Sequence, residues 1–176
     1  MWKFYQPVNV IFGEGEIYNI GKYMEQYGLQ RALMVADAFL VQSGMAEKLK
    51  TCGNGKIVEI SSDVEPNPTL QNVSDVAKKV KKINADCLIA FGGGSAMDCA
   101  KAAAAAVKEN CSAEELLQGR VITRALPVIA IPTTAGTGSE VTAGAVLSDK
   151  KKGIKAAIFS HALFPRLAIV DPELTY

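Results

Sequence analysis

One stretch in the middle of the sequence constrains the fold more than any other. An apolar run at residues 87–91 leads directly into three glycines, Gly92, Gly93 and Gly94, and a helix-forming run follows at residues 99–107. A strand, a glycine turn and a helix in direct succession are typical of units that bind a nucleotide phosphate. Consecutive glycines let the backbone turn tightly and approach a ligand that a Cβ would hold away. The sequence therefore predicts a phosphate-binding turn.

The residues that follow the glycines fit this prediction. A helix expected to begin near Ser95 directs the positive end of its dipole at the turn, which favours an anion. Ser95 could cap that helix or bond a phosphate. Asp98 is expected in the first helical turn, where a carboxylate stabilises the helix; it could also orient the loop or reach the amide end of a bound nicotinamide cofactor. Asp98 and Lys101 after the glycines favour phosphate binding over a plain turn.

Short apolar runs alternate with helical patterns along the chain, which predicts an α/β fold. Runs rich in β-branched or aliphatic residues occupy residues 8–12, 32–36, 56–60, 86–91, 128–131 and 167–170. Apolar residues recur at three and four positions over residues 17–27 and 70–83, as in amphipathic helices. This alternation predicts a Rossmann-like parallel sheet with helices on both faces, whose ligands bind at the carboxyl ends of the strands.

Two further segments add to this fold. Residues 141–147 and 154–159 flank a polar turn at residues 148–153, which predicts a β-hairpin added to the parallel core. Residues 66–69, Pro-Asn-Pro-Thr, mark the entry to a helix with Thr69 or Asn67 as its cap. The same segment could equally touch a ligand.

Asp37 lies at the end of the predicted strand at residues 32–36. An acidic residue there can accept hydrogen bonds from the 2′-hydroxyl of an adenosine ribose and repels a 2′-phosphate. This position favours NAD over NADP. Asp37 is an equally good candidate for the cap of the next helix.

A second polar loop follows the strand at residues 128–131. It carries five hydroxyl side chains on a glycine-containing backbone, Thr133, Thr134, Thr137, Ser139 and Thr142. Hydroxyl groups at the carboxyl end of a strand suit a ribose or an amide. The composition also fits a plain loop rich in Gly and Thr, so both interpretations stay open.

Composition excludes several other classes of protein. The net charge is +1, which gives no long-range field to attract nucleic acid or an anionic membrane. No apolar stretch reaches the roughly 18 residues of a spanning helix, and residues 1–5 lack the apolar core of a signal peptide. The 4 cysteines are widely spaced without a CxxC pair, which favours reduced thiols. We therefore expect a soluble, cytoplasmic protein.

The two central motifs, residues 91–101 and 132–142, resemble those of the iron-containing, group III alcohol dehydrogenases. The Phe-Gly-Glu-Gly at residues 12–15, the Pro-Asn-Pro at residues 66–68 and the Asp-Pro-Glu-Leu at residues 171–174 extend the resemblance over essentially the whole chain. It implies that NAD is bound by a glycine loop, a second loop and the hairpin. The residues concerned are Gly92, Gly93, Gly94 and Ser95 at the pyrophosphate, Asp98 near the nicotinamide, Asp37 in the NAD-selecting position, Thr133, Thr134, Thr137, Ser139 and Thr142 lining the cofactor, and Lys155 near its ribose.

The same resemblance implies partners and a second domain. Members of this family continue into a helical domain with an Asp and three His that bind iron or another divalent metal, which polarises the alcohol oxygen. The present sequence ends at Tyr176 and has one histidine, His161, which cannot form such a site alone. We expect residues 1–176 to be a single dinucleotide-binding domain of a two-domain enzyme, without catalytic or metal residues and inactive by itself. The family also implies a homodimer or larger homo-oligomer, with the N-terminal strand at the sheet edge as a candidate contact.

In the full enzyme such a domain would serve the interconversion of alcohols with aldehydes or ketones by hydride transfer. Two alternatives stay open: a stand-alone, non-catalytic nucleotide-binding or interaction module, and the domain of a related polyol dehydrogenase. The run Thr-Gly-Ser-Glu at residues 137–140 argues against the polyol dehydrogenase.

Overall fold

A computed structural model describes residues 1, 2 and 5–175. Eight strands and six helices follow one another along this part of the chain. They are β1 (Asn9–Phe12), α1 (Ile20–Gln26), β2 (Ala32–Ala36), α2 (Ala38–Gln42), α3 (Met45–Cys52), β3 (Ile57–Ser61), α4 (Leu70–Lys82), β4 (Cys87–Gly92), α5 (Gly94–Glu109), α6 (Ala113–Leu117), β5 (Val128–Pro132), β6 (Gly144–Asp149), β7 (Ile154–Phe159) and β8 (Leu167–Val170). Short 3-10 helices occupy Glu16–Asn19, Ser139–Val141, His161–Leu163 and Pro172–Leu174.

Six strands form one sheet in the order β1-β8-β5-β4-β2-β3, and every neighbouring pair is parallel. The predicted parallel α/β fold is confirmed, and each of the six predicted strands is present with its ends within one residue of the prediction. The accuracy has a simple cause. Strands β2, β4 and β5 are buried along their whole length, so their sequences are continuous apolar runs.

Helices cover both faces of this sheet, as predicted. On one face, Leu40 of α2 with Ala46 and Leu49 of α3 pack on the sheet. On the other face, α4 contributes Val73 and Val76, and α5 contributes a buried run from Ala96 to Ala106 that is mostly alanine. The small side chains of α5 let this helix lie close to the strands.

The predicted hairpin is present as an antiparallel pair of β6 and β7. Ser148 and Asp149, predicted in its turn, belong to β6 instead, because Asp149 pairs with Ile154 and turns its carboxylate to the amides of Lys151 and Lys152. The hairpin is a separate two-stranded sheet. Buried residues on β6 and β7 pack it into the core on the α4 and α5 face.

The direction of the helices changes between β2 and β4. The chain leaves β2 into α2 on one face of the sheet and leaves the adjacent β4 into α5 on the other. Such a switch point opens a crevice at the carboxyl ends of the strands, where doubly wound folds bind their ligands. Within the described part of the chain, no helix is both long and apolar enough to span a membrane.

Candidate functional site

Backbone hydrogen bonds tie the carboxyl ends of β2, β4 and β5 together. The N–H of Asp37 donates to the carbonyl of Phe91 at 3.2 Å, and the N–H of Thr133 donates to the carbonyl of Gly92 at 3.0 Å. The start of the second loop and the acidic residue after β2 therefore lie on either side of the glycine turn. The predicted site residues converge because three parallel strands end at one edge of the sheet.

Of the three glycines in the turn, Gly92 lies closest to another residue of the site, Asp37. Its φ is +150°, a conformation that residues with a side chain rarely adopt. A Cβ at this position would lie 2.4 Å from Oδ2 of Asp37. Only glycine fits between the end of β4 and this carboxylate.

Asp37 uses its carboxylate to hold the glycine turn. Its Oδ2 accepts a hydrogen bond from the N–H of Gly93 at 2.8 Å. Asp37 precedes α2 in an extended conformation, but its side chain accepts no hydrogen bond from that helix. Asp37 thus occupies the N-cap position of α2, as one of the two alternatives had it, but the partner of its carboxylate is the amide of Gly93. The half-buried carboxylate still lies at the crevice between β2 and β4.

Helix α5 begins at Gly94, so two expectations about its first turn need correction. Ser95 is the second residue of the helix and does not cap it; its Oγ accepts a hydrogen bond from the N–H of Asn67 at 3.0 Å. Asp98 lies in the second turn. The preceding Gly93 has no side chain to accept from the first-turn N–H groups, which leaves the positive end of the helix dipole facing the crevice.

Asp98 orients the second loop, whereas the orienting role considered from the sequence concerned the glycine turn. Its Oδ1 accepts from the Oγ of Ser139 at 3.0 Å, and its Oδ2 accepts from the N–H of Val146 at 2.9 Å. Asp98 itself is buried. One carboxylate on α5 thus fixes both the 3-10 helix of the loop and the first strand of the hairpin.

A cleft of about 340 Å³ opens between the first turn of α5, the second loop and the hairpin. Polar groups converge on it: Nζ of Lys155 donates to Oδ1 of Asn67 at 2.6 Å, next to the contact between Asn67 and Ser95. The lining consists of Asn67, Pro68, Gly94, Ser95, Asp98, Thr137, Ser139, Val146 and Lys155. Of the two roles considered for the Pro-Asn-Pro-Thr segment, Asn67 lines the cleft and Thr69 caps α4.

The other predicted site residues lie outside this lining. Thr134 is exposed beside Gly93, and its Oγ1 is 3.4 Å from the position of a Cβ there. Thr133 is half-buried next to Gly92, and Thr142 is exposed at the end of the second loop. Apart from Thr142, the predicted residues are thus divided between the cleft and the edge that carries Asp37, with the glycine turn joining the two.

Sequence reasoning missed the contribution of Val146 to the cleft and the role of Lys101, which anchors the second loop from inside the domain. It included Asn67 and Pro68 only as part of a segment that could begin a helix or touch a ligand. For Lys101 a pattern was available, because it follows Asp98 by three residues and therefore shares its helix face. For Val146 no local pattern exists, because the hairpin brings it to the cleft from a distant part of the chain.

Among residues 1, 2 and 5–175, no three His, Cys, Asp or Glu side chains come together as they would around a metal ion. His161 is exposed and lies against two aromatic rings, those of Tyr5 and Phe164, at centroid distances of 5.5 and 5.9 Å. All four cysteines are free. Burial raises the pKa of the Cys99 thiol to about 12, so this thiol stays protonated and inert.

These observations define a doubly wound α/β domain with a glycine turn and a helix N-terminus at its switch point. The model of one family, iron-containing alcohol dehydrogenase, matches residues 7–172. The chain belongs to this family, which confirms the resemblance seen in the sequence.

Individual relatives support the same assignment. The chain is 36% identical to the NAD-dependent methanol dehydrogenase of Bacillus methanolicus over 99% of its length and 46% of that protein. It is 36% identical to alcohol dehydrogenase 4 of Schizosaccharomyces pombe, over 98% of its length and 42% of that protein. The structure of sulfoacetaldehyde reductase from Bifidobacterium kashiwanohense in complex with NAD+ superimposes with a TM-score of 0.97 at 42% identity, covering 100% of this chain and 47% of that one. The chain spans about half the length of the relatives it matches.

Proposed function

We propose that residues 1–176 form the dinucleotide-binding domain of an NAD-dependent, metal-containing alcohol dehydrogenase. The observation that carries this proposal is the crevice between β2 and β4, where Gly92 fits only because it lacks a Cβ and α5 directs its N-terminus at the turn. A backbone free of side chains beside a helix N-terminus suits a pyrophosphate. The NAD+ complex of the similar sulfoacetaldehyde reductase supports NAD as the ligand.

The geometry suggests how NAD would lie across the strand ends. The pyrophosphate would meet Gly92, Gly93, Gly94 and Ser95, with the adenosine toward Asp37 and the nicotinamide toward Asp98. The cleft at that second end would take the nicotinamide ribose beside Lys155. Five hydroxyl residues of the second loop would line the bound cofactor: Thr133, Thr134, Thr137, Ser139 and Thr142.

Bound NAD would supply the hydride acceptor, and this domain would orient it. In the whole enzyme the reaction would interconvert a small alcohol with its aldehyde or ketone. The described residues do not fit a metal ion, since they bring no cluster of metal-ligating side chains together. We assign no catalytic residue and no metal-dependent step to this chain, and we expect it to have no dehydrogenase turnover by itself.

Assembly and location are part of the same proposal. β1 is an edge strand with exposed Val10 and Phe12, which suits pairing with a second copy in a homodimer or larger homo-oligomer. The four free cysteines suit the reducing cytoplasm. The near-neutral charge favours a small-molecule ligand over nucleic acid or a membrane surface.

The proposal is tested by calorimetric titration of NAD and NADP into the 176-residue chain and its Asp37→Gly variant. Asp86→Gly is a matched control, because Asp86 also accepts main-chain N–H groups, from Gln30 at 2.8 Å and Arg31 at 3.0 Å, but lies before the amino end of β4. We expect the parent chain and the control to bind NAD more tightly than NADP. Asp37→Gly should bind the two nucleotides about equally. A folded parent chain that binds neither nucleotide would contradict the proposal.

A further inference from the structure

Lys101 is the only buried Lys or Arg side chain among the described residues, with 1% of its surface exposed. It lies in the middle of α5, where the neighbouring positions are alanines. Its Nζ does not line the cleft. Nothing in the proposed cofactor binding uses this residue, although a lysine in such a place costs more than an apolar side chain would.

The ammonium group of Lys101 is directed at the second loop. Its Nζ donates to the carbonyl of Ser139 at 3.0 Å and to the carbonyl of Thr142 at 3.3 Å, and it lies 3.6 Å from Oδ1 of Asp98. The two carbonyls bracket the 3-10 helix of the loop, which follows Gly138 at a φ of +66°. Lys101 therefore holds both ends of an irregular segment that has no strand partner there.

The charges around Lys101 explain how the group is accommodated. Burial lowers the pKa of Lys101, while the carboxylates of Asp98 and Glu140 favour its charged form. Asp98 also holds this region in place, because it accepts hydrogen bonds from the Oγ of Ser139 and the N–H of Val146. The pair on α5 thus fixes the loop at Ser139, at Thr142 and at the start of the hairpin.

The fixed loop packs tightly on the first turn of α5. A Cβ on Gly94 would lie 3.3 Å from Cγ2 of Thr137 and 3.5 Å from Oγ of Ser139. Small displacements of the loop would therefore change the shape of the cleft that Thr137 and Ser139 line. Asp37 and Gly93 lie outside this lining, so the edge beside β2 does not depend on Lys101 in the same way.

We propose that Lys101 is a positioning residue that sets the second loop for the nicotinamide half of the cofactor and leaves the adenosine half unaffected. This inference rests on the proposed function, since it assigns a role within the same site. It differs from a general structural role in one respect: the two halves of the cofactor should respond differently when Lys101 is replaced.

The experiment compares NAD and ADP on the 176-residue chain and its Lys101→Met variant. Methionine retains the length of the side chain and removes its three donors. We expect the affinity for NAD to fall by about tenfold or more and the affinity for ADP to change by less than about twofold. The nicotinamide fluorescence of bound NADH should shift toward that of the free cofactor, and amide hydrogen exchange should rise in residues 137–146 but not in residues 92–97.

Lys79→Met is the matched control. Lys79 is a partly buried lysine of α4 whose Nζ donates to Oγ of Ser61 at 3.0 Å and Oδ2 of Asp63 at 2.8 Å, away from the cleft. This variant should bind NAD and ADP like the parent chain. If Lys101→Met does not fold, Lys101→Gln, which retains a donor, takes its place in the experiment. This variant should show a smaller loss of NAD affinity, again with little change in the affinity for ADP.

The outcomes separate this inference from the function on which it rests. A parent chain that binds no NAD would contradict the proposed function. A parent chain that binds NAD, with Lys101→Met binding NAD equally well or losing NAD and ADP equally, would overturn the role of Lys101 alone. Unfolding of both Lys101 variants would also overturn it, because Lys101 would then support the whole domain and not the loop.

Discussion

The glycine turn at residues 92–95 and the second loop at residues 133–142 face the same region but are held in different ways. The turn joins β4 directly to α5, and the main chain sets its shape, with two side-chain hydrogen bonds: the carboxylate of Asp37 accepts from the N–H of Gly93, and Ser95 accepts from the N–H of Asn67. The second loop is longer and mostly exposed between Thr134 and Thr137. Side chains of α5, Asp98 and Lys101, hold its far end.

The difference shows two ways of building one binding surface. A turn fixed by its own backbone needs the right residue at each position but few distant partners. A loop fixed by buried polar groups depends on residues far away in the sequence, and each group is costly when its partner is lost. We therefore expect substitutions in the turn to change NAD binding by altering the backbone of the turn itself. Substitutions of Asp98 or Lys101 should change it by displacing the second loop.

Gly92→Ala should have the largest effect. It adds a Cβ at a φ of +150° and places it 2.4 Å from Oδ2 of Asp37, so the turn, the carboxylate or both must move. We expect a loss of about 3 kcal/mol in the free energy of unfolding and a loss of NAD affinity of about 100-fold. Urea unfolding and calorimetric titration measure the two effects.

Gly153→Ala is the control for that prediction. Gly153 also has a positive φ, +65°, but lies in the hairpin turn with no atom within 4 Å of an added Cβ. It should lose about 1 kcal/mol of stability through backbone strain and retain parental NAD affinity. Equal losses of NAD affinity in the two variants would mean that strain alone, and not the fit against Asp37, shapes the turn.

Asp98→Asn tests the anchor of the second loop. The change leaves Lys101 buried without its carboxylate and weakens the bonds to Ser139 and Val146. We expect a loss of about 2 kcal/mol in stability and about tenfold in NAD affinity. Asp149→Asn is the matched control, since Asp149 is buried and accepts two main-chain N–H groups in the hairpin turn. Weaker NAD binding in the control but not in Asp98→Asn would contradict the prediction.

Lys155→Met should have a smaller effect on binding. Lys155 is exposed on β7 and its Nζ contacts Oδ1 of Asn67 across the cleft, so its contribution is screened by solvent. We expect NAD affinity to fall about threefold, with stability unchanged within about 0.5 kcal/mol. Lys151→Met, an exposed lysine of the same hairpin, should change neither quantity. A tenfold loss of NAD affinity in Lys155→Met would contradict this prediction, because Lys155 would then contribute as a central residue of the site and not as a residue of its rim.

The smallest expected effect is a pH dependence that arises from Lys101. Burial lowers the pKa of this residue in the folded state, so the unfolded chain binds more protons at alkaline pH. Its contribution to the free energy of unfolding therefore becomes more favourable as the pH rises through the lowered pKa toward that of free lysine. Urea unfolding of the parent chain and Lys101→Met at about pH 8 and pH 10 should show the parent gaining stability relative to the variant.

The sequence predicts the glycine turn better than the second loop, because the turn is determined by neighbouring residues and the loop by residues far away in the sequence. The turn is a property of consecutive residues, so the apolar run before Gly92 and the helix after Gly94 suffice to place it. The strands are equally local, since a buried parallel strand is a continuous apolar run. The family assignment follows from motifs of the same local kind.

The predictions from the sequence that differ from the structure concern contacts between residues far apart in the chain. The sequence places Asp37 at the end of β2 but gives no sign that its carboxylate accepts from Gly93 across two strands. The helix boundary at Gly94, one residue earlier than predicted, moves Asp98 into the second turn, and helix boundaries depend on long-range packing. Lys101 is the clearest case, because a lysine is normally exposed and only the folded loop explains its burial.

The arrangement of the sheet also determines the order in which it can form. Within the described residues β1 pairs with β8 alone, with Asn9 opposite Leu167, so the first strand of this sheet has no partner until the last strand of the sheet is made. β8 in turn pairs with both β1 and β5, and it closes the gap between them. During translation, the chain would have to keep Val10 and Phe12 from associating elsewhere until β8 emerges, and the six-stranded sheet would be completed in one late step.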